Sequence, residues 1–196
     1  MGVVFVTGPV SSGKSAFAVR LARECNCAVT YVATAAGAPE DVEWRARLLR
    51  HVRDRPSEWR TVETAAMAHD AQLALFRGAA PETCLLVDAL GTWLAARIAT
   101  YIDLLEIDYT VVESQLEVEA TQFVDAMLAS PAEVIAVSEQ IGWDVVPVAA
   151  SARLFRDTMG RMIQRLAKHA KRVYLVVAGY ALDLREVGEP IDLDGQ

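Results

Sequence analysis

The chain has 196 residues, enough for one domain with a substantial core, and 53% of them are hydrophobic. Its formal net charge of −7 argues against a nucleic-acid backbone as the main partner, because such partners call for a basic surface. No uninterrupted apolar run reaches the length of a membrane span, and the N-terminus enters the first predicted strand directly, with no room for a signal peptide. We therefore expect a cytoplasmic protein without a membrane span, folded as a single domain over residues 1–196.

The first predicted element is a strand–loop–helix unit. Residues 3–7 are apolar and mostly β-branched, residues 8–15 fit the pattern G-x-x-x-x-G-K-[ST], and the residues that follow have apolar positions at helical spacing. Gly8 and Gly13 allow a tight turn whose backbone N–H groups point at a phosphate, beside the positive end of the helix dipole. Lys14 can reach the outer phosphates, and the Ser15 hydroxyl can bind Mg²⁺. The pattern predicts a nucleoside triphosphate site; the alternative is a chance glycine-rich turn.

Strands and helices alternate along the rest of the chain. The predicted strands after the first cover residues 28–33, 59–62, 83–88, 133–137 and 172–178. The predicted helices after the first cover residues 39–52, 64–76 with Thr64 as the cap, 91–102, 112–128 and 151–169. Residues 34–38, 103–108 and 138–147 are expected to be connections, and the polar remainder after Gly179 to fray or to pack on a neighbour. This alternation predicts an α/β fold with a mostly parallel sheet and helices on both faces.

Ligands bind at the carboxyl ends of the strands in such sheets, and two predicted strand ends carry suitable residues. Asp88 ends a hydrophobic strand in the manner of a Walker-B aspartate, which would hold the Mg²⁺ shell beside the P-loop; the alternative is a helix cap. The small residues 34–38 would let a nucleotide approach the backbone; the alternative is an ordinary turn.

The three cysteines are predicted to be reduced thiols, because their number is odd and no secretory signal accompanies them. Cys25 and Cys27 are too close together and too isolated in the sequence for a zinc site, and we expect them to mark the turn between the first helix and the second strand.

Several stretches, in this order, carry a resemblance beyond the P-loop. They are residues 31–34 (Tyr-Val-Ala-Thr), 45–51 (Arg-Ala-Arg-Leu-Leu-Arg-His), 55–56, 59–63, 86–90, 93–94, 146–147, 153–157, Gly160, 164–167 and the last strand with Gly179. Together they resemble the bifunctional adenosylcobinamide kinase / adenosylcobinamide-phosphate guanylyltransferase family of cobalamin synthesis, over nearly the whole chain.

The resemblance implies a RecA-like P-loop fold, a homo-oligomer that is often a trimer, and two reactions. A nucleoside triphosphate, ATP or GTP, phosphorylates adenosylcobinamide; GTP then donates GMP to the product through a guanylyl-histidine, and the matching histidine is His51. Ser15 and Asp88 are the implied Mg²⁺ ligands. The implied nucleotide contacts are Gly8, Pro9, Val10, Ser11, Ser12, Gly13, Lys14, Ser15, Ala33, Thr34, Ala35, Val52, Arg53, Asp54, Arg55, Glu63 and Asp88.

These residues suit that chemistry. Much of an imidazole is neutral and nucleophilic near neutral pH, and Arg53 and Arg55 could balance charge that develops on the phosphates. For His51 the alternative is a histidine at a helix boundary that packs on Leu48.

The chain departs from the family pattern at Asp144, where glycine is common, and at six further positions, in loops that would meet nucleotide or corrinoid. These are Pro9, Ser11, Ala96, Glu139, Gln140 and Ile163. Two other functions stay open: a P-loop kinase for a small metabolite that does not use His51, and a non-catalytic protein whose assembly depends on nucleotide.

Overall fold

The computed structural model describes residues 2–35, 42, 55–143 and 145–191. The strands are β1 (Val3–Gly8), β2 (Ala28–Ala33), β3 (Arg60–Glu63), β4 (Thr83–Asp88), β5 (Glu133–Glu139), β6 (Arg172–Val177) and β7 (Tyr180–Asp183). The helices of these residues are α1 (Lys14–Glu24), α2 (His69–Arg77), α3 (Leu90–Thr100), α4 (Ile102–Leu105), α5 (Tyr109–Leu128), α6 (Ala150–His169) and α7 (Leu184–Val187). The helix predicted over residues 39–52 lies outside the described residues. That residues 1–196 form a single domain stays a prediction.

The seven strands form one sheet in the order β3-β2-β4-β5-β1-β6-β7, and every pairing is parallel except that of β6 with β7. The register aligns Gly8 with Glu139, and Ala33 with both Glu63 and Asp88. The ends of β1 to β5 therefore meet along one side of the sheet, which we call the carboxyl edge. The predicted α/β fold with a mostly parallel sheet is confirmed.

Side chains alternate across the sheet and form two cores. Val4 and Val6 pack with α1 on one face, whereas Val3 and Phe5 pack on the other face with α2, α3, α5 and α6. In the second core the rings of Trp93 and Phe123 are stacked with their centroids 4.2 Å apart. Burial of strands on both faces explains why they are almost continuously hydrophobic.

A largely buried ion pair joins α3 to α5. The Arg97 guanidinium donates to both carboxylate oxygens of Glu119, at 2.8 and 2.9 Å. Tyr101 and Gln115 also donate to this carboxylate, at 2.6 and 3.3 Å. Burial alone would raise the pKa of Glu119, but these hydrogen bonds outweigh burial and lower it.

The prediction of a helix capped by Thr64 is wrong at its start, since α2 begins at His69. The amide and hydroxyl of Thr64 both donate to the Ala33 carbonyl, at 2.9 and 3.2 Å. Thr64 therefore continues the pairing of β3 with β2 and does not cap the helix.

The prediction that the segment after Gly179 frays is wrong for residues 180–187, which form a strand and a short helix, whereas packing of the segment on a neighbour stays a prediction. Ala178 and Gly179 have φ values of 51° and 81°, as in the two-residue hairpin turn that matches strand twist. This turn reverses the chain into β7, whose Tyr180 pairs with Val177, and α7 follows.

Several other boundaries shift. The predicted connection over residues 103–108 includes most of α4, β5 runs through Ser138 and Glu139 into the loop predicted over residues 138–147, and the strand predicted to begin at Trp59 begins at Arg60. Among the helices in the described ranges, none is long and apolar enough to cross a bilayer.

Candidate functional site

The loop over residues 8–15 joins β1 to α1 at the carboxyl edge. Gly13 has a φ of 96°, a left-handed conformation that favours glycine, and it immediately precedes the first turn of α1. A Cβ on Gly8 would collide with the backbone carbonyl oxygen of Val176 on β6. The two glycines of the motif are therefore required by the backbone turn and by close packing, and the loop carries its N–H groups to the start of a helix.

Two polar side chains of this loop could form hydrogen bonds to a ligand. Lys14 is 8% exposed, and its Nζ donates to the Pro9 carbonyl at 3.3 Å. The buried Ser12 Oγ has no hydrogen-bond partner among the described residues. The Ser12 carbonyl accepts from the Gly179 amide at 3.2 Å, so the β6–β7 hairpin supports the loop from outside.

Asp88 lies at the centre of a group of polar side chains. Its Oδ1 accepts from Ser15 Oγ at 3.4 Å, and its Oδ2 accepts from the Tyr31 hydroxyl at 2.6 Å. The Arg55 guanidinium lies 3.6 Å above the centre of the Tyr31 ring. Burial and the neighbouring Asp88 carboxylate raise the pKa of Tyr31, so its hydroxyl stays a donor.

These contacts test whether the site fits Mg²⁺. Mg²⁺ prefers oxygen ligands, often one or two carboxylates together with substrate phosphates. Ser15 and Asp88 present a hydroxyl and a carboxylate oxygen side by side, next to the phosphate loop. The hydroxyl and carboxylate oxygens therefore fit the ion, and their role as Mg²⁺ ligands stays a prediction.

The predicted contacts on β2 and β3 reach the same edge. Thr34 is buried, and its hydroxyl donates to the Ala89 carbonyl at 2.6 Å and lies 2.6 Å from the Thr92 hydroxyl. The Thr34 hydroxyl is therefore engaged within the protein, whereas Glu63 is exposed at the end of β3. His51, Val52, Arg53 and Asp54 lie outside the described residues.

Sequence reasoning did not include Tyr31 or Glu139 among the candidate site residues. Glu139 ends β5 between the P-loop strand and the Asp88 strand, and its buried Oε2 has no hydrogen-bond partner within residues 2–35, 42, 55–143 and 145–191. A Cβ on Gly91, at the start of α3, would collide with this oxygen, so glycine at this position makes room for the Glu139 carboxylate. The available signal was an acidic residue shortly after a predicted strand, where ligands bind in such sheets.

Buried polar atoms without a partner are concentrated at the carboxyl edge. Among the described residues such atoms belong to Ser12, Arg55, Glu139 and Arg156, and, away from this group, to His69 and Thr158. Arg156 belongs to the edge because its Nη2 donates to the Gly142 carbonyl, just beyond β5, at 3.5 Å. Buried polar groups are normally satisfied, so this concentration of donors and an acceptor indicates a place where a polar ligand completes the hydrogen bonding.

Comparison with solved structures supports the fold. An ATPase from the type III secretion system of pathogenic bacteria matches with a TM-score of 0.54 at 12% identity, over 96% of this chain and 59% of the ATPase chain. At this identity the likeness shows the fold alone, which is an α/β P-loop fold.

Curated relatives match over almost their whole lengths. They include bifunctional adenosylcobalamin biosynthesis protein CobP of Pseudomonas aeruginosa, 35% identical over 95% of this chain and 98% of the relative. The CobU proteins of Escherichia coli and Salmonella typhimurium, which carry the same description, are each 33% identical over 93% of this chain and 99% of theirs. The model of the cobinamide kinase / cobinamide phosphate guanyltransferase family matches residues 4–184, and the chain belongs to this family.

Proposed function

We propose that this protein phosphorylates adenosylcobinamide with a nucleoside triphosphate and then transfers GMP from GTP to the phosphorylated product. The observation that carries the proposal is the composition of the carboxyl edge. A P-loop, the Ser15 and Asp88 oxygens that suit Mg²⁺, and buried polar atoms without a partner among the described residues occur there together. Membership of the family supplies the substrate class.

The loop residues would hold the triphosphate. Backbone N–H groups of residues 8–15 would cradle the phosphates, and Lys14 would exchange its weak bond to the Pro9 carbonyl for an outer phosphate oxygen. Ser15 and Asp88 would hold Mg²⁺, which when bound neutralises phosphate charge. Tyr31 would orient the Asp88 carboxylate from behind.

In the first reaction the aminopropanol hydroxyl oxygen of adenosylcobinamide attacks the γ-phosphorus. The bond from that phosphorus to the bridging oxygen breaks, the nucleoside diphosphate leaves, and the hydroxyl proton passes to a base or to water. Glu139 would lie near this chemistry, since it ends the strand beside the P-loop strand and its buried carboxylate oxygen has no partner among the described residues.

In the second reaction a nitrogen of neutral His51 attacks the α-phosphorus of GTP, and pyrophosphate leaves. A phosphate oxygen of adenosylcobinamide phosphate then attacks the same phosphorus, the N–P bond breaks, and adenosylcobinamide-GDP forms. Arg55, whose guanidinium lies over the Tyr31 ring, would place positive charge beside the reacting phosphates. A homo-oligomeric assembly and a cytoplasmic location stay predictions.

The test follows both products by mass spectrometry after incubation of the protein with adenosylcobinamide, ATP, GTP and Mg²⁺. We expect Lys14→Ala to lower formation of both products by about 10²–10³-fold and His51→Ala to abolish only the GDP-linked product. Lys171→Ala is the matched control, because Lys171 pairs with Glu133 at the opposite end of the strands and should retain both activities.

Two results would replace the proposal with an alternative. Phosphorylation without any GMP transfer would leave a small-metabolite kinase. Tight nucleotide binding with neither product, accompanied by nucleotide-dependent assembly, would leave a non-catalytic binding protein.

A further inference from the structure

Three thiols meet at the end of the sheet opposite to the carboxyl edge. Cys25 follows the last turn of α1, Cys27 immediately precedes β2, and Cys84 is the second residue of β4. Their sulfur atoms all lie within 4.8 Å of one another, and those of Cys25 and Cys27 are 2.6 Å apart. All three are free thiols. The sequence spacing suggested an isolated pair, but the fold adds a third sulfur from a distant strand.

The local fold explains how these side chains converge. Asn26 has a φ of 53°, a left-handed conformation that asparagine tolerates, and it turns the chain between the two outer cysteines. The parallel pairing of β2 with β4 aligns Val29 with Cys84, so Cys84 enters from the neighbouring strand. Cys84 is fully buried, whereas Cys25 and Cys27 pack over it and are half-buried. The cluster thus has a closed side in the core and an accessible side at the surface.

We propose that this cluster is a binding site for a soft metal cation, Zn²⁺, coordinated by the three cysteine thiolates. Thiolates are the protein ligands that zinc and other soft cations select. A tetrahedral ion with Zn–S bonds of about 2.3 Å needs sulfurs about 3.8 Å apart, so the present spacing requires side-chain shifts of only about 1 Å. Each thiol loses its proton to solvent when it binds the ion.

Solvent supplies the fourth ligand. Glu133 pairs with Cys84 in the register of β4 and β5, but both of its carboxylate oxygens accept from Lys171 Nζ, at 2.6 and 2.7 Å. Within the described ranges, the three cysteines are the only group of His, Cys, Asp or Glu side chains close enough together to share an ion. The site is therefore a three-sulfur centre with one position open to water on its accessible side.

The ion would act on stability rather than on the transfer chemistry. Cys84 lies four residues from Asp88 along β4, a distance of about 13 Å at the usual rise of an extended strand. A bound ion would join the end of the P-loop helix α1 to the starts of β2 and β4. Because an ion that binds only the folded chain stabilises it, zinc should raise the melting temperature.

The test uses the full-length, nucleotide-free protein, reduced with a phosphine that does not supply competing thiols. We expect one Zn²⁺ per chain by elemental analysis, and a sulfur-to-metal charge-transfer band when Co²⁺ is used instead. Loss of a residue that hydrogen-bonds to a metal ligand weakens metal binding by up to roughly 100-fold. Cys27→Ser and Cys84→Ala each remove a ligand itself, so each should weaken Zn²⁺ binding by more than this. They should also abolish the rise in melting temperature.

Asn26→Gly is the matched control, because glycine adopts the same backbone conformation and keeps all three thiols, so binding should persist. If Cys84→Ala fails to fold, the half-buried Cys27→Ser still decides the question. Zinc binding of equal strength in the cysteine variants, or a cobalt complex without a thiolate band, would overturn the proposal. The proposal would also be overturned if the reduced protein bound no metal and exposure to air joined Cys25 and Cys27 in a disulfide.

Discussion

Tyr31→Phe tests the contact that orients Asp88. The substitution removes only the hydroxyl that donates to Asp88 Oδ2 at 2.6 Å, and the phenyl ring can still accept the Arg55 guanidinium on its face. Tyr31 is 2% exposed, so water cannot readily replace the lost donor. A hydrogen bond to a charged group contributes about 1.5–3 kcal/mol, and we expect the free energy of unfolding to fall by about 2 kcal/mol.

Urea denaturation measures this change directly, and a thermal scan should show a melting temperature lower by about 4–8 °C for a chain of this length. Nucleotide affinity in the presence of Mg²⁺ should also fall by about 10-fold, because a carboxylate without its supporting donor holds the ion less well.

Tyr174→Phe is the matched control, since within the described part of the chain its hydroxyl accepts a hydrogen bond only from the exposed Arg172, and stability should not change. The reasoning would be refuted if Tyr31→Phe had the stability and the Mg²⁺-dependent affinity of the unmodified protein.

Three further substitutions test the fold around the site. Glu119→Gln should lower the free energy of unfolding by about 3 kcal/mol at pH 7, because it breaks a largely buried ion pair. Folding lowers the pKa of Glu119 from 4.5, so its contribution to stability is present above about pH 4.5 and is lost as the pH falls through the folded-state pKa. The free energies of unfolding of the variant and the unmodified protein should therefore converge as the pH is lowered. Gly8→Ala should abolish nucleotide binding in equilibrium titrations and lower stability by about 1–3 kcal/mol, because its Cβ would strike the Val176 carbonyl. Gly160→Ala, whose Cβ would meet nothing within 4 Å, should do neither. Phe123→Ala should lower the free energy of unfolding by about 3–5 kcal/mol in urea, through loss of a buried ring stacked on tryptophan; a change below 1 kcal/mol would contradict that packing.

Sequence reasoning predicted the elements whose signals are local. The P-loop unit and the strand that ends at Asp88 follow from short patterns of apolar residues, glycine and one terminal carboxylate, and the structure has them where the pattern predicts. The β6–β7 hairpin was missed because its turn contains Ala178 at positive φ, a conformation that the residue type does not predict.

Features that depend on contacts across the fold could not be read from neighbouring residues. Tyr31 resembles any aromatic residue of a buried strand, and only the pairing of β2 with β4 brings its hydroxyl to Asp88. Cys84 joins Cys25 and Cys27 by the same strand pairing. Thr64 resembles a helix cap in sequence, but its amide and hydroxyl are both used in bonds to Ala33.

The central claim, GMP transfer through a histidine, is tested most directly by the intact mass of the protein after incubation with GTP and Mg²⁺. We predict a gain of one GMP per chain that is lost in acid, that is absent from His51→Ala, and that disappears when adenosylcobinamide phosphate is added. The absence of this adduct, under conditions where GTP binding is demonstrated, would contradict the proposed guanylyl transfer through His51.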